Sequence, residues 1–343
     1  MTSPAKAAMP PSSSDPVALA DWDNAPGLLE GATSVEIDPR DCGVDYWLKN
    51  VAQGPLVGLV RGHKPQSQVP QFLKEPGPLR DSLISEFAFR SLTEEAATRA
   101  CALVAAASYD VAGLEFYTTQ ALDEARHAQT FREHLLDLGV PADELRGTIE
   151  AYAGADRDRI LGPLWEWGLP AFADKFVNGV AIVTVLLEGV LAPTTELSER
   201  KWTPLSQATT DVERGACVDE IRHLAAGSWF IREHLRAHPE DHAPLIELVL
   251  EGRRRWDELP TVEVIAKREA LFQEGLEAHA VEVGDYEIFP GRRLIDTDAQ
   301  ERLLAALKWS QQVQAERLAY MGLQEVIPDD SQPVPAATQA QAG

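Results

Sequence analysis

Cysteine is nearly absent from this 343-residue chain. Its three copies, Cys42, Cys101 and Cys217, are an odd number without C-x-x-C spacing, which argues against a disulfide framework and fits a reducing cytosol. Basic residues are in the minority: 31 Lys and Arg stand against 54 Asp and Glu, a formal charge of -23 with a pI near 4.7. That balance argues against nucleic acid and anionic membrane as partners, and would suit a basic patch on a partner protein. The opening M-T-S-P-A-K-A-A-M-P-P-S-S-S lacks the apolar core of a signal peptide. The longest apolar run, 180–187, is far too short to span a bilayer, so a cytoplasmic protein is expected. Alternation at period two is scarce as well, and the Val and Ile clusters sit inside helical patterns.

The chain divides by texture. Residues 1–20 are rich in Pro, Ser and Ala and read as a disordered arm, and 326–343 as a disordered tail. Between them a single domain, 21–325, is expected. Residues 22–78 mix Gly and Pro with isolated aromatics, as an irregular segment draped over the main body would. From Leu79 the sequence turns Ala-rich with helical spacing, and helices are expected over 81–110 and from Gly113 to Leu138, where Gly139 and Pro141 stop the second. Residues 142–169 read as short helices and connections broken at Pro163 and Pro170. A third long helix is expected over 171–191, with Pro193 near its end, and a fourth over 206–237. Weaker helices follow at 243–256 and 262–280, then an irregular G-D-Y-E-I-F-P-G stretch and a helix over 297–321. The fold class is therefore all-α, with two αα-hairpins forming a four-helix bundle over about 80–240 and additional helices flanking it.

Two words in this bundle carry chemistry. A-L-D-E-A-R-H-A-Q at 121–129 and V-D-E-I-R-H-L at 218–224 each set a Glu and a His at i, i+3 on one helical face, Glu124 with His127 and Glu220 with His223. One copy is no more than a solvated, salt-bridged helix. Two copies need another reading, because each has a Glu upstream at hairpin distance. Glu94 precedes Glu124 by thirty positions and Glu188 precedes Glu220 by thirty-two. Glu188 lies inside V-A-I-V-T-V-L-L-E-G-V-L, where a charge costs several kcal/mol unless it is paired or binds a metal. One Glu from each of two helices and a Glu-x-x-His from each of the other two is how such a bundle holds a pair of metals. Glu94, Glu124, His127, Glu188, Glu220 and His223 are the expected ligands, with Glu95 and Glu86 as alternatives to Glu94. Four carboxylates nearly neutralise two divalent cations, and the mixture of imidazole and carboxylate suits iron or manganese. Asp123 and Asp219, one before each Glu, are the natural acceptors for the outer N–H groups of the histidines, and Arg126 and Arg222 could balance them. His134, His234 and His238 read as surface residues. Trp165, Trp167 and Trp229 read as core, with Trp229 close enough to the second word to line a pocket.

The double motif resembles the ferritin-like di-iron carboxylate proteins of the oxygen-activating branch. T-T-Q-A-L-D-E-A-R-H-A-Q-T and V-D-E-I-R-H-L-A-A-G-S-W are similar to the ligand helices in the catalytic subunit of bacterial multicomponent monooxygenases. The spacings E-x28-D-E-x-x-H and E-x30-D-E-x-x-H also match the di-iron N-oxygenases of natural-product pathways. The resemblance covers about 80–240 and implies a ferritin-like bundle, two iron ions, O2 as co-substrate and a small organic substrate. Departures narrow it. The radical Tyr of the ribonucleotide reductase small subunit corresponds here to Phe131, although some relatives with Phe there use a manganese/iron pair. The Thr one turn after the third-helix Glu of hydrocarbon monooxygenases corresponds to Ala192, with Thr194 and Thr195 nearby. No G-x-G-x-x-G follows a strand and no iron–sulfur cysteine cluster exists, so electrons must come from a reductase, a ferredoxin or another reductant. The expectation is a monooxygenase leaning towards N-oxygenation in biosynthesis. A C–H hydroxylase component, a radical-generating subunit, an iron-storage or peroxidase protein and a metal-free structural subunit are the rivals, and a homodimer is left open.

Overall fold

The computed structural model describes residues 17–51 and 62–327, and among these the chain is all-α. Its principal helices are α1 (Leu28–Ser34), α2 (Pro78–Ala107), α3 (Val111–Asp137), α4 (Ala155–Asp174), α5 (Phe176–Trp202), α6 (Gln207–Ala237), α7 (His242–Glu258), α8 (Thr261–Ala278) and α9 (Ala299–Met321). Among the described residues, strand is confined to a ribbon of β1 (Glu287–Phe289), within the stretch expected to be irregular, antiparallel to β2 (Arg292–Arg293) just after it. Residues 1–16 of the expected arm and 328–343 of the expected tail lie outside the described residues. The expected arm is nonetheless too long at its inner end: Ala18–Ala20 form a 3-10 turn whose Leu19 is fully buried. The tail likewise begins later than 326, because Val326 closes a 3-10 turn and is buried.

The long helices start and stop where local chemistry directs. Pro78 opens α2 at a position where its missing N–H is no loss. The Asp110 carboxylate caps α3 by accepting from Gly113 N at 2.8 Å, and Ser206 caps α6 through Thr209 N at 3.3 Å. Gly139 ends α3 in the left-handed region, φ +85°, and Val140 N donates back to Leu135 O at 3.1 Å. The α2–α3 hairpin and the α5–α6 hairpin then pack on each other, α3 against α6 and α2 against α5. Helices α4 and α8 cover α2, and α9 lies along α5 and α6. The draped N-terminal segment is held by Arg214 of α6, which donates to the carbonyls of Trp22 at 3.1 Å and Pro26 at 2.9 Å.

Two helix boundaries differ from the sequence expectation. Helix α4 runs through both Pro163 and Pro170, and α5 continues past Pro193 to Trp202. An interior Pro costs about 3 kcal/mol, but burial of Ile160, Leu161, Leu164 and Phe172 on α4 outweighs that local preference. Within α5 the segment Ile182–Glu188 winds as a π-helix ending on the Glu of interest, a departure that clusters at functional sites. Gly227 of α6 lies against it so closely that a Cβ there would collide with the Thr184 side chain, so glycine is what allows the approach. By length and composition α5 could cross a membrane, more than the run 180–187 suggested. However, 78% of its most apolar window is buried inside the protein, as in the core helix of a soluble protein.

Candidate metal centre

The bundle brings all six expected ligand side chains together in two overlapping groups. Glu94, Glu124 and His127 form one, and Glu124, Glu188, Glu220 and His223 form the other; within each group the ligand-type atoms lie within 4.8 Å of one another. Glu124 belongs to both. Its Oε2 is 3.3 Å from His127 Nδ1 and its Oε1 is 3.2 Å from His223 Nδ1. The choice left open on α2 falls to Glu94. Glu95 points outward to Arg132 at 2.7 Å, and Glu86 is engaged by Arg90 at 3.4 Å, Lys201 at 3.6 Å and the Trp202 indole N–H at 3.3 Å.

The outer nitrogens of the two histidines meet the expected aspartates, but crosswise. His127 Nε2 on α3 lies 3.2 Å from Asp219 of α6, and His223 Nε2 on α6 lies 3.4 Å from Asp123 of α3. A carboxylate there favours the proton on Nε2 and leaves Nδ1, on the glutamate side, as the nitrogen a metal would take. Arg222 ties the two aspartates together, donating to Asp219 Oδ1 at 2.9 Å and Asp123 Oδ2 at 2.5 Å, and Arg126 also pairs with Asp219. Two further groups had no clear sequence signal. The Trp47 indole N–H, from the draped segment, donates to Asp123 Oδ1 at 2.9 Å across 76 positions, and Gln120, one turn before Glu124, donates to Glu188 Oε1. Only Gln120 was within reach of sequence reasoning, from its i, i−4 place beside Glu124.

Electrostatics describe a site short of positive charge. Burial and the neighbouring Glu124 push the Glu94 carboxyl well above its ordinary value, and burial with Glu220 does the same to Glu188. Burial and Glu124 bring Glu220 up to about 7. Burial opposes charge on Glu124 too, but the adjacent His127 and His223 imidazoles hold it below the usual carboxylate range. At His127 burial disfavours the charged ring, yet Asp219 and Glu124 outweigh it and raise the pKa to about 10. Glu124 Oε1, Glu188 Oε2, Glu220 Oε2 and His223 Nδ1 are buried without a hydrogen-bonding protein partner. Buried orphan acceptors facing one another are costly alone and suit metal coordination. Two divalent cations would balance four carboxylates, so the donor set fits the metals the sequence implied.

On the glutamate side lies a largely apolar cavity of about 140 Å³, roughly ten times the ~10–15 Å³ one water needs. Glu94, Glu124, Glu188 and Glu220 open onto it, and Ala97, Leu164, Phe172 and Leu191 are among its walls. Trp165 and Trp167 line it, whereas Trp229 does not; Trp229 lies under Arg40, 5.5 Å from its guanidinium carbon. Phe131 is fully buried edge-on to Phe87 at 4.9 Å.

His134 is a second correction, because it is fully buried against Phe87 with Nε2 2.9 Å from Thr209 Oγ1. His234 is partly covered and bonds Asp241 at 2.9 Å, while His238 is exposed as expected. Burial drives the His134 pKa down to about 3 from 6.5. The unfolded chain therefore takes up a proton below about pH 6.5 that the folded chain refuses. That stability is fully present above pH 6.5 and is lost as pH falls towards 3. At about 1.4 kcal/mol per pH unit, the loss is about 2 kcal/mol between pH 6.5 and 5. Urea unfolding at pH 7.5 and 5.0 should show wild type losing that much more than His134→Asn. Equal losses would mean that the folded ring accepts the proton.

No protein-family model matches the chain, and no curated protein matches it.

Proposed function

We propose that this protein is a ferritin-like, non-haem di-iron monooxygenase of the cytoplasm that oxidises a small organic substrate. The reading leans towards N-oxygenation in a biosynthetic pathway. The observation that carries it is Glu124, shared between two buried Glu/His groups at the wall of an apolar cavity. Glu94, Glu124 and His127 would hold one ion, and Glu188, Glu220 and His223 the other, with Glu124 common to both. Iron bound there would supply activation of O2, with electrons from a reductase or ferredoxin.

The chain's own residues supply the rest. Asp123 and Asp219 hold the imidazoles in one tautomer, and Arg222 holds both aspartates in place. Gln120 fixes Glu188, and the cavity walls keep water from the carboxylate face. Thr194 and Thr195 line the cavity, but the Thr194 hydroxyl donates to Leu191 O at 2.6 Å and Thr195 Oγ1 accepts from Arg90 at 2.7 Å. Ala192 stands at the place of the hydrocarbon-monooxygenase threonine and neither nearby hydroxyl is idle, which supports the lean away from alkane and arene hydroxylation. Phe131, packed on Phe87, carries no phenol to oxidise, which weighs against a tyrosyl-radical subunit.

Anaerobic loading with Fe(II), then iron analysis and O2 electrode measurement, tests the reading. Two irons per chain and O2 uptake on each reduction cycle are expected. Iron well below one per chain, or a loaded protein inert to O2, would overturn it. Iron and manganese analysis of the protein as purified distinguishes a di-iron from a manganese/iron centre.

A further inference from the structure

The apolar cavity ends in a group of charges that the metal centre does not use. Glu86, Arg90, Lys201, Arg268 and Glu269 all reach its wall. Most are paired. Lys201 bonds Glu269 and lies 3.6 Å from Glu86; Arg302 donates to Glu269 at 2.6 Å; Arg90 reaches Glu86 at 3.4 Å and Glu213 at 3.2 Å. Arg268 differs. It is 9% exposed, and its guanidinium lies over the Phe89 ring at 4.3 Å. Its Nε and Nη2 are buried and meet no hydrogen-bonding protein atom. Asp156 Oδ2 stands 3.7 Å from Nη2, an ion pair without a hydrogen bond.

Nε and Nη2 form one edge of the planar guanidinium, the edge that takes both oxygens of a carboxylate side-on. Thr261, two helical turns earlier on α8, lines the same cavity and has a buried Oγ1 that is also unpartnered. Both residues share a helical face with Val264 and Ile265, and all four line the cavity, so the wall there is apolar with two unpartnered polar groups within it. Burial of such groups costs free energy unless something completes them.

We infer that Arg268 receives the carboxylate of the substrate, a small organic acid whose apolar body fills the cavity and whose far end reaches the glutamates. This rests on the reading of the cavity as the substrate pocket of the metal centre. Length supports it: Phe89, beneath Arg268, precedes Glu94 by five residues, about 7.5 Å of helix rise. An aromatic ring or a chain of similar length spans that interval. The carboxylate is preferred to a phosphate because one guanidinium edge lacks a hydrogen-bonding partner and the neighbouring cations already face Glu86, Glu213 and Glu269.

The test is calorimetric titration of the full-length protein, as purified and again after metal removal. The probes are benzoate, phenylacetate, 3-phenylpropionate, hexanoate and octanoate, each beside its primary amide. At least one carboxylate should bind ten or more times tighter than its amide, with and without metal. Arg268→Gln should remove that preference, and Arg268→Lys should keep part of it. If Arg268→Gln does not fold, the wild-type acid-to-amide ratio still decides, with Arg268→Lys locating it. No preference for any acid overturns the inference. So does a preference that vanishes with the metal or survives in Arg268→Gln, since either puts the anion elsewhere. Acid binding in a protein that takes up no iron would leave the Arg268 carboxylate site standing and remove the proposed oxygenase function; iron uptake without acid preference would do the reverse.

Discussion

The Glu124→Ala variant should lose both metal ions, falling from about two per chain to close to none, because a site missing a ligand loses most of its binding free energy. Glu124 is the member common to both groups, and its two oxygens face the two Nδ1 atoms at 3.3 and 3.2 Å. The other glutamates grade the effect. Glu94→Ala removes a donor from the first group alone and should leave one ion in the Glu188, Glu220 and His223 group. Glu220→Ala should act on that second group. Glu95→Ala, whose carboxylate is 2.7 Å from Arg132 on the outer side of α2, should keep both ions. Metal analysis of the four variants after identical iron loading checks the series. If Glu124→Ala, or the pair Glu124→Ala and Glu220→Ala together, still holds two irons, the ligand set is wrong. The apoprotein supplies a second readout: with four carboxylates collected and Glu94, Glu188 and Glu220 pushed upward, metal uptake should release protons, measurable in weak buffer.

Much of this centre was legible because its chemistry is written locally. Glu124 with His127 and Glu220 with His223 need only helical spacing, and Glu94 and Glu188 need only the length of a helix hairpin. Glu94 could not be separated from Glu86 by periodicity, since positions eight apart still fall within one helical stripe about 100° wide and both line the cavity. What separates them is the partners on other helices: Lys201 and Trp202 for Glu86, Glu124 and His127 for Glu94. The crosswise aspartates and Trp47 were out of reach for the same reason, because α3 must first meet α6 and the draped segment must close over Asp123. Local rules misled at Pro163, Pro170 and Pro193, where packing across helices outweighed proline's preference. They misled again at His134, whose polar ring is buried with a threonine partner instead of water. Three pocket aromatics, Trp165, Trp167 and Phe172, came from α4, the helix that the prolines had hidden.

Arg222→Met should destabilise the metal-free protein by about 3–5 kcal/mol, the range for breaking a buried ion pair by removing one partner. Arg222 is 1% exposed and donates a hydrogen bond to each of Asp123 and Asp219. Methionine fills the volume, so the loss comes from charge, not from a cavity. The consequence is unequal for the two aspartates. Asp219 retains direct pairing with Arg126 and the His127 N–H, whereas Asp123 keeps Arg126 only at 3.9 Å, beyond hydrogen-bond reach, with the Trp47 indole at 2.9 Å and His223 at 3.4 Å. Asp123→Asn in the Arg222→Met background should therefore restore part of the stability by removing the stranded charge, and Asp219→Asn should restore less. Urea unfolding of the metal-free single and double variants measures both the loss and its recovery. A loss below about 1 kcal/mol, the value of an exposed pair, would mean that Arg222 balances little of the aspartate charge. Equal recovery by the two asparagines would mean that Arg126 gives Asp219 no protection. Either result would separate the orientation of the histidines from the stability of the bundle, two roles that the present geometry assigns to the same four side chains.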